Sequence, residues 1–200
     1  MKTCLLIRHA ATEGNLFRKY IGRGTDEEIT LKENARTRSA GEHIQSIFRD
    51  PFVVSGPLKR CRQTASLLCP SKSIEIIEEL SEIDFGAFEG KTYEELKSFS
   101  KYRAWINGVV PAPPDGESRY DFTKRSLEGF YKGLLLAGEC SELLITCCGG
   151  NIMAIMSHIT GRDYYEFQVN NLEGYILRFD HDDETIYDLS YDRFVGGNNT

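Results

Sequence analysis

The sequence predicts an α/β protein of three layers, with a mostly parallel, doubly wound sheet between two layers of helices. Three observations predict it. Buried-strand runs alternate with helical patterns along most of the chain. Polar residues capable of chemistry follow directly after several of those runs, where the ligand crevice of an open α/β sheet lies. The 200 residues and 40% hydrophobic content suit one domain over 1–200 with a sizeable core.

Residues 3–8, TCLLIR, are a continuous apolar run of strand length, and the first strand is placed there. A helix follows over 31–48, a short strand over 52–55, and a helix over 58–69 that carries Leu58, Leu67 and Leu68. A strand near 74–77 precedes a polar region of short helices around 92–107. The segment VVPAPPDGES reads as a loop, because proline lacks an amide proton and fixes φ, and it ends at a helix start near Glu117. Residues from about 85 to 120 thus form a small cap of helices and loop. A helix to about 137, the strand ELLITC at 142–147 and a helix from about 150 to 160 restore the alternation. Two last strand-like runs, 174–179 and 185–190, flank HDDE as a hairpin.

Bulk properties narrow the function classes. A net charge of −6 argues against a general nucleic-acid binder, whose phosphate contacts need a basic surface. Any phosphate site must be a local cluster of Arg and His. The chain shows neither a charged-then-apolar leader nor an apolar run near 18 residues, so neither secretion nor a membrane span is expected and the location is cytoplasmic. The six cysteines (Cys4, Cys61, Cys69, Cys140, Cys147 and Cys148) are accordingly expected as buried thiols rather than bridges. On the same ground the sequon Asn198-Asn199-Thr200 is not expected to carry a glycan. Oligomeric state is not legible.

Four segments after strands carry the chemistry. In LLIRHAATEGN, a strand delivers Arg8 and His9 onto a Gly-containing turn; arginine forks onto phosphoryl oxygens while histidine attacks phosphorus. In SGPLKRCRQTA, Ser55, Gly56 and Pro57 stand at a helix entrance favourable to anions, with Lys59, Arg60 and Arg62 in its first turns. ELSEIDFGAFEGKTYEEL is rich in acids, most of them solvated. TCCGGNIMA brings two cysteines and two glycines to a helix start.

Together these segments resemble the histidine phosphatase superfamily, also called phosphoglycerate mutase-like. Arg8, His9, Thr12 and Asn15 fall at the spacing of its RHGxTxxN signature, with Ala10 at the usual Gly. SxPLxRxxQTA resembles the second signature, which implies that Arg60 grips the transferred phosphoryl group while Lys59 and Arg62 are a solvated face. LxEIDFGxxEG resembles the acid-bearing segment and implies that Glu82 protonates the leaving oxygen, a reasonable role for a carboxyl beside bound phosphate. Glu79, Asp84 and Glu89 are then structural or loop-ordering. PPDGES, with Arg125 downstream, resembles a further element and makes Glu117 structural or site-supporting.

The fourth segment departs from the family. Where it has S/T-H-G-G after the strand, this chain has Cys147, Cys148, Gly149 and Gly150, so Cys148 stands at the second His. A thiol donates weakly to phosphoryl oxygen and a thiolate repels it. Losing one charge-assisted hydrogen bond of about 1.5–3 kcal/mol predicts roughly a 10- to 150-fold loss of rate. Cys148 as a nucleophile is disfavoured, because no anion-cradling loop closing with Arg follows Gly149. Zinc at Cys147 and Cys148 is disfavoured because adjacent cysteines lack the usual spacer. His43, His158 and His181 are not placed to supply the missing imidazole. In EITLKENA the family's LTxxG pattern lacks its Gly at Glu33, which puts the helix start there in question.

The expectation is a phosphomonoesterase with no cofactor and no metal, acting on a small phosphate ester and not engaging nucleic acid or membrane. Its catalytic set is His9, Glu82, Arg8, Arg60 and Cys148, with Arg8, Thr12, Asn15, Arg60 and Gly149 binding substrate. The short span between Glu82 and Glu117 favours a phosphatase over a mutase. YRAWINGVVPAPPDGES with Phe122, Arg125, Gly129 and Phe130 looks like the α-ribazole phosphatase branch. The rival reading, motivated by Cys148, is a catalytically silent phosphate-ester binder.

Overall fold

The strand β1 (Lys2–Arg8) lies at the heart of a six-stranded sheet, as its unbroken apolar run requires. The computed structural model describes residues 1–182 and 185–196. After β1 come α1 (Glu13–Leu16), α2 (Glu33–Ile47), β2 (Phe52–Ser55), α3 (Lys59–Leu68) and β3 (Ile74–Ile76). The cap contributes α4 (Tyr93–Leu96) and α5 (Ser100–Ile106), and then α6 (Arg119–Ala137), β4 (Glu142–Cys147), α7 (Gly149–Thr160), β5 (Glu173–Asp182) and β6 (Thr185–Val195) complete the order. Strand order is β3-β2-β4-β1-β5-β6, with β3, β2, β4 and β1 parallel and β5 and β6 antiparallel.

Side-chain alternation splits the strands between two cores. Cys4 and Leu6 of β1, Val54 of β2 and Leu143 and Ile145 of β4 pack with Phe130 and Leu134 of α6 and Ile152 and Ile155 of α7. Their neighbours Leu5, Ile7, Val53 and Leu144 face the opposite way, onto Ala40 and Ile44 of α2 and Ala65 and Leu68 of α3. Burial of such a side chain is worth about 1.5–3 kcal/mol. Helices on both faces of the sheet are the three-layer, doubly wound architecture that the alternation predicts.

Several boundaries move. α6 begins two residues beyond Glu117, because Ser118 is its cap and accepts from Asp121 N at 3.0 Å. α2 starts at Glu33 rather than 31, since Glu33 N bonds back to Thr30 O in a turn. The two last strands are longer than 174–179 and 185–190, as backbone pairing carries polar residues that apolar patterning overlooks. The tip of HDDE and the sequon at 198–200 lie outside the described residues. All six cysteines are free thiols, yet Cys140 is exposed, against expectation, because it falls in the loop between α6 and β4.

The cap is knitted to the segment after β1. Tyr20 N donates to Lys91 O and Gly90 N to Tyr20 O. Tyr20, Phe85, Phe88, Tyr102 and Trp105 form an aromatic cluster with centroids 5.1–6.0 Å apart. The Pro-rich loop closes against Gly86, whose φ is +51° and whose added Cβ would lie 2.2 Å from Pro114 O. Only glycine fits there.

Candidate active site

Three strands end at one level. Arg8 pairs with Cys147 across β1 and β4, and Ser55 with Thr146 across β2 and β4. The residues that follow, His9, Gly56 and Cys148, therefore leave one edge of the sheet together, the edge of the carboxyl ends.

His9 is held on every side. Its N–H donates to Cys147 O at 3.0 Å, its carbonyl accepts from Asn171 Nδ2 at 2.8 Å, and the next amide, Ala10 N, donates to Thr64 Oγ1 at 3.0 Å. The imidazole is 3% exposed, with Nδ1 2.7 Å from Ala10 O. A carbonyl only accepts, so Nδ1 carries the proton and Nε2 of the neutral ring carries the lone pair. Burial, with the Arg60 and Arg8 charges, lowers the His9 pKa against the opposing Cys148 sulfur. Such a ring is neutral and nucleophilic at neutral pH.

Two guanidinium groups flank it. Arg60 is fully buried; its Nη1 donates to Thr25 O at 2.8 Å and its Nη2 to Gly22 O at 3.0 Å and Ile21 O at 3.2 Å. Glu89 holds that loop in place, accepting from Gly22 N at 3.0 Å, Thr25 Oγ1 at 2.9 Å and Phe85 N at 3.2 Å. Arg8 Nη1 donates to Val169 O at 2.8 Å. The Nε atoms of Arg8 and Arg60 are buried without a partner. Leaving such a donor unmet costs about 1–3 kcal/mol, more for a charged group. Gly149 lies over Arg8, since a Cβ there would sit 3.4 Å from Arg8 Nε.

Glu82 is 8% exposed. Its Oε1 accepts from Ile83 N at 2.9 Å and its Oε2 from Gly150 N at 3.1 Å. Burial, reinforced by the Cys148 sulfur, pushes its pKa up to about 7, against those backbone donors and Arg60. It is thus a carboxyl that holds a proton near neutrality. A Cβ on Gly150 would lie 2.1 Å from Glu82 Oε1, so glycine is what allows the carboxyl in. Glu117 bonds Arg125 twice, at 2.7 and 3.0 Å. Arg125 then donates to the carbonyls of Glu79, Ser81 and Glu82.

Cys148 is fully buried at the head of α7, where its N–H donates to Asn151 Oδ1 at 3.2 Å. Its sulfur lies close enough to His9 and Arg60 to act on both electrostatically, and it is 3.7 Å from Cys61 Sγ. Burial opposes ionisation there, but Cys61, Arg60 and His9 outweigh it and draw the thiol well below its ordinary value. Thr12 is spent as the cap of α1, accepting from Asn15 N at 3.3 Å. Asn15 Oδ1 accepts from Thr12 N and Asn171 Nδ2, both at 3.2 Å, which leaves its amide nitrogen as the group able to meet an anion. Gly149, the first residue of α7, has an N–H with no intrahelical acceptor. Lys59 and Arg62 are exposed. Among the described residues no group of three or more His, Cys, Asp or Glu is arranged to hold a metal, and no helix is long and apolar enough to cross a membrane.

Sequence reasoning missed Cys61, Asn151, Asn171 and the carbonyls of Val169, Ile21, Gly22 and Thr25. Backbone acceptors leave no side-chain signal, and Cys61 is 87 positions from its neighbour Cys148. The one available hint was that each cysteine sits at a helix start after a parallel strand.

The chain is similar to known proteins in sequence and fold. Residues 4–191 match the model of the histidine phosphatase superfamily (branch 1). The chain is 28% identical over 162 residues to a bifunctional protein of Mycobacterium tuberculosis, covering 78% of this chain but only 41% of that one. It is likewise 28% identical over 165 residues to the uncharacterized phosphatase PhoE of Bacillus subtilis, covering 82% of this chain and 80% of PhoE. The crystal structure of phosphoserine phosphatase from Entamoeba histolytica with 3-phosphoglyceric acid superposes with a TM-score of 0.78 at 27% identity, covering 94% of this chain and 96% of that one.

Proposed function

The chain belongs to the histidine phosphatase superfamily, and from that premise we propose that it is a phosphomonoester hydrolase working through a phosphohistidine at His9. One observation carries the reading: two guanidinium groups, each with a buried and unpartnered Nε–H, share a site with a neutral histidine whose Nε2 holds its lone pair. Such a site favours an anion of phosphoryl size.

In the proposed sequence His9 Nε2 attacks phosphorus while the phosphoryl oxygens take up Arg8 Nε–H, Arg60 Nε–H, the Asn15 amide and the Gly149 N–H. The P–O bond to the leaving group breaks as Glu82 gives its proton to the departing oxygen. The Glu82 carboxylate then takes a proton from water as that water attacks the phosphohistidine, which releases phosphate and restores His9. Cys148 lies where a hydrogen-bond donor to the phosphoryl group is wanted; its sulfur, drawn toward the thiolate, weakens that hold. The cap and its aromatic cluster receive the leaving group, and α-ribazole phosphate is the candidate substrate that the resemblance of residues 102–118 supports.

The test is steady-state hydrolysis of an aryl phosphate and of α-ribazole phosphate by this chain, Cys148→His and His9→Ala. Turnover that rises in Cys148→His and vanishes in His9→Ala is the expected result. Silence of both the parent and Cys148→His, with folding and phosphate-ester binding intact, would establish the rival reading of a silent binder, which Cys148 motivates.

A further inference from the structure

Cys61 and Cys148 have no assigned covalent chemistry, yet their sulfurs face each other at 3.7 Å. Both side chains are fully buried and pack with Leu58. Cys61 follows Arg60 in the first turn of α3, and Cys148 heads α7. Two rigid helix starts hold the pair in place. A contraction to about 2.05 Å would join the sulfurs.

We propose that Cys61 and Cys148 are an oxidative modification site, forming a reversible disulfide in the wall of the phosphoryl site when the chain meets a hydroperoxide. Its consequence for phosphate binding rests on the phosphatase reading above. In the first step the Cys148 sulfur attacks the terminal peroxide oxygen: an S–O bond forms, the O–O bond breaks, and the leaving oxygen, once protonated, departs as an alcohol, or as water when the oxidant is hydrogen peroxide. Cys148 is then a sulfenic acid. In the second, Cys61 sulfur attacks Cys148 sulfur, the S–S bond forms and the S–O bond breaks. The departing hydroxyl takes the Cys61 proton and leaves as water. Peroxide is reduced and the two thiols are oxidised.

The surroundings suit these roles. Cys148 is drawn toward the thiolate, although burial resists it, while burial and the Cys148 charge hold Cys61 as the protonated partner. The reduced chain therefore sets a sulfur drawn toward its anionic form against Arg60, the cation that a phosphoryl group needs. A disulfide is uncharged. Its formation removes that charge from beside Arg60, so the oxidised chain binds phosphate more tightly. By reciprocity, phosphate favours the disulfide.

The experiment uses the full chain carrying Cys140→Ser, which removes the exposed thiol. Hydrogen peroxide is titrated in, free thiols are alkylated, and peptides are mapped by mass spectrometry; calorimetry with inorganic phosphate follows on the reduced and oxidised chains. A Cys61–Cys148 cross-linked peptide is expected, reversed by dithiothreitol and absent in Cys61→Ala, together with phosphate affinity about tenfold tighter after oxidation. Over-oxidation of Cys148 without a cross-link, or a cross-link between other cysteines, would overturn the proposal. A cross-link with unchanged or weaker phosphate affinity would overturn the charge argument. A cross-link in a chain that binds no phosphate in either state would leave the disulfide standing and sink the phosphatase reading.

Discussion

On one side of Glu82 lies an arginine whose hydrogen bonds are complete, and on the other two whose bonds are not. Arg125 spends Nε and Nη2 on Glu117 and sends Nη1 to the carbonyls of Glu79 and Ser81. Asn151 ties the same segment down, donating to Ser81 O at 3.1 Å and Ser126 Oγ at 3.0 Å. Nothing in that region asks for a ligand. Across the carboxyl, Arg8 and Arg60 each keep a buried Nε–H without an acceptor. The difference separates a strut from a receptor: a saturated guanidinium positions backbone, whereas an unsaturated one gains most when an anion arrives.

The sharpest break of that comparison is at the nucleophile. His9→Ala is expected to lower aryl phosphate hydrolysis by at least about 10⁴-fold and to abolish acid-labile phosphate labelling of the chain. Full retention of either would remove His9 from the mechanism. Glu82→Gln comes next, with a loss in kcat/KM of about 10²–10⁴-fold for alkyl phosphates and a far smaller one for p-nitrophenyl phosphate, whose leaving group needs no proton.

The same variant tests the pH profile. Glu82, pushed up to about 7, is protonated below that pH and ionised above it. Loss of the proton removes the general acid, so kcat/KM for an alkyl phosphate falls as pH rises through about 7. The fall is absent in Glu82→Gln. Because the His9 pKa is lowered from 6.5, the acid limb lies below that value. An alkyl phosphate profile that stays flat through pH 7 would contradict the role given to Glu82.

Two arginine substitutions probe the contrast directly. Arg60→Lys, which keeps charge but loses the fork, is expected to cut kcat/KM by about 10²-fold and to weaken vanadate binding. Arg125→Lys is expected to cost about 2 kcal/mol of unfolding free energy by denaturant titration, with vanadate affinity little changed. If vanadate binding fell equally in both, the division between strut and receptor would fail. The one gain expected is in Cys148→His, whose activity rises by roughly 10- to 150-fold. Since Cys61 and Leu58 already fill the space around Cys148, overpacking by about 1–3 kcal/mol limits that gain. Pairing it with Cys61→Ala should recover the stability.

The chain's linear order already determined the layered α/β fold and the segments from which a candidate site is drawn. Apolar runs of strand length alternating with helical patterns leave few topologies, and residues that follow parallel strands are led to one edge. Arg8 and His9 were marked by their place after the first strand, and Arg60, Glu82 and Cys148 by the family resemblance. So was Glu89 as a loop-ordering acid. Tertiary structure alone decided which donors are spent and which remain. Hydrogen bonds to the carbonyls of Val169, Ile21, Gly22 and Thr25 leave no trace in residue identity, so the unmet Nε–H groups could not be read beforehand. Neither could the meeting of Cys61 with Cys148: two helix starts, 87 positions apart, bring their sulfurs to 3.7 Å only once β2 and β4 lie side by side. Local pattern selects the elements, whereas charge, burial and proton placement depend on distances that exist only after packing.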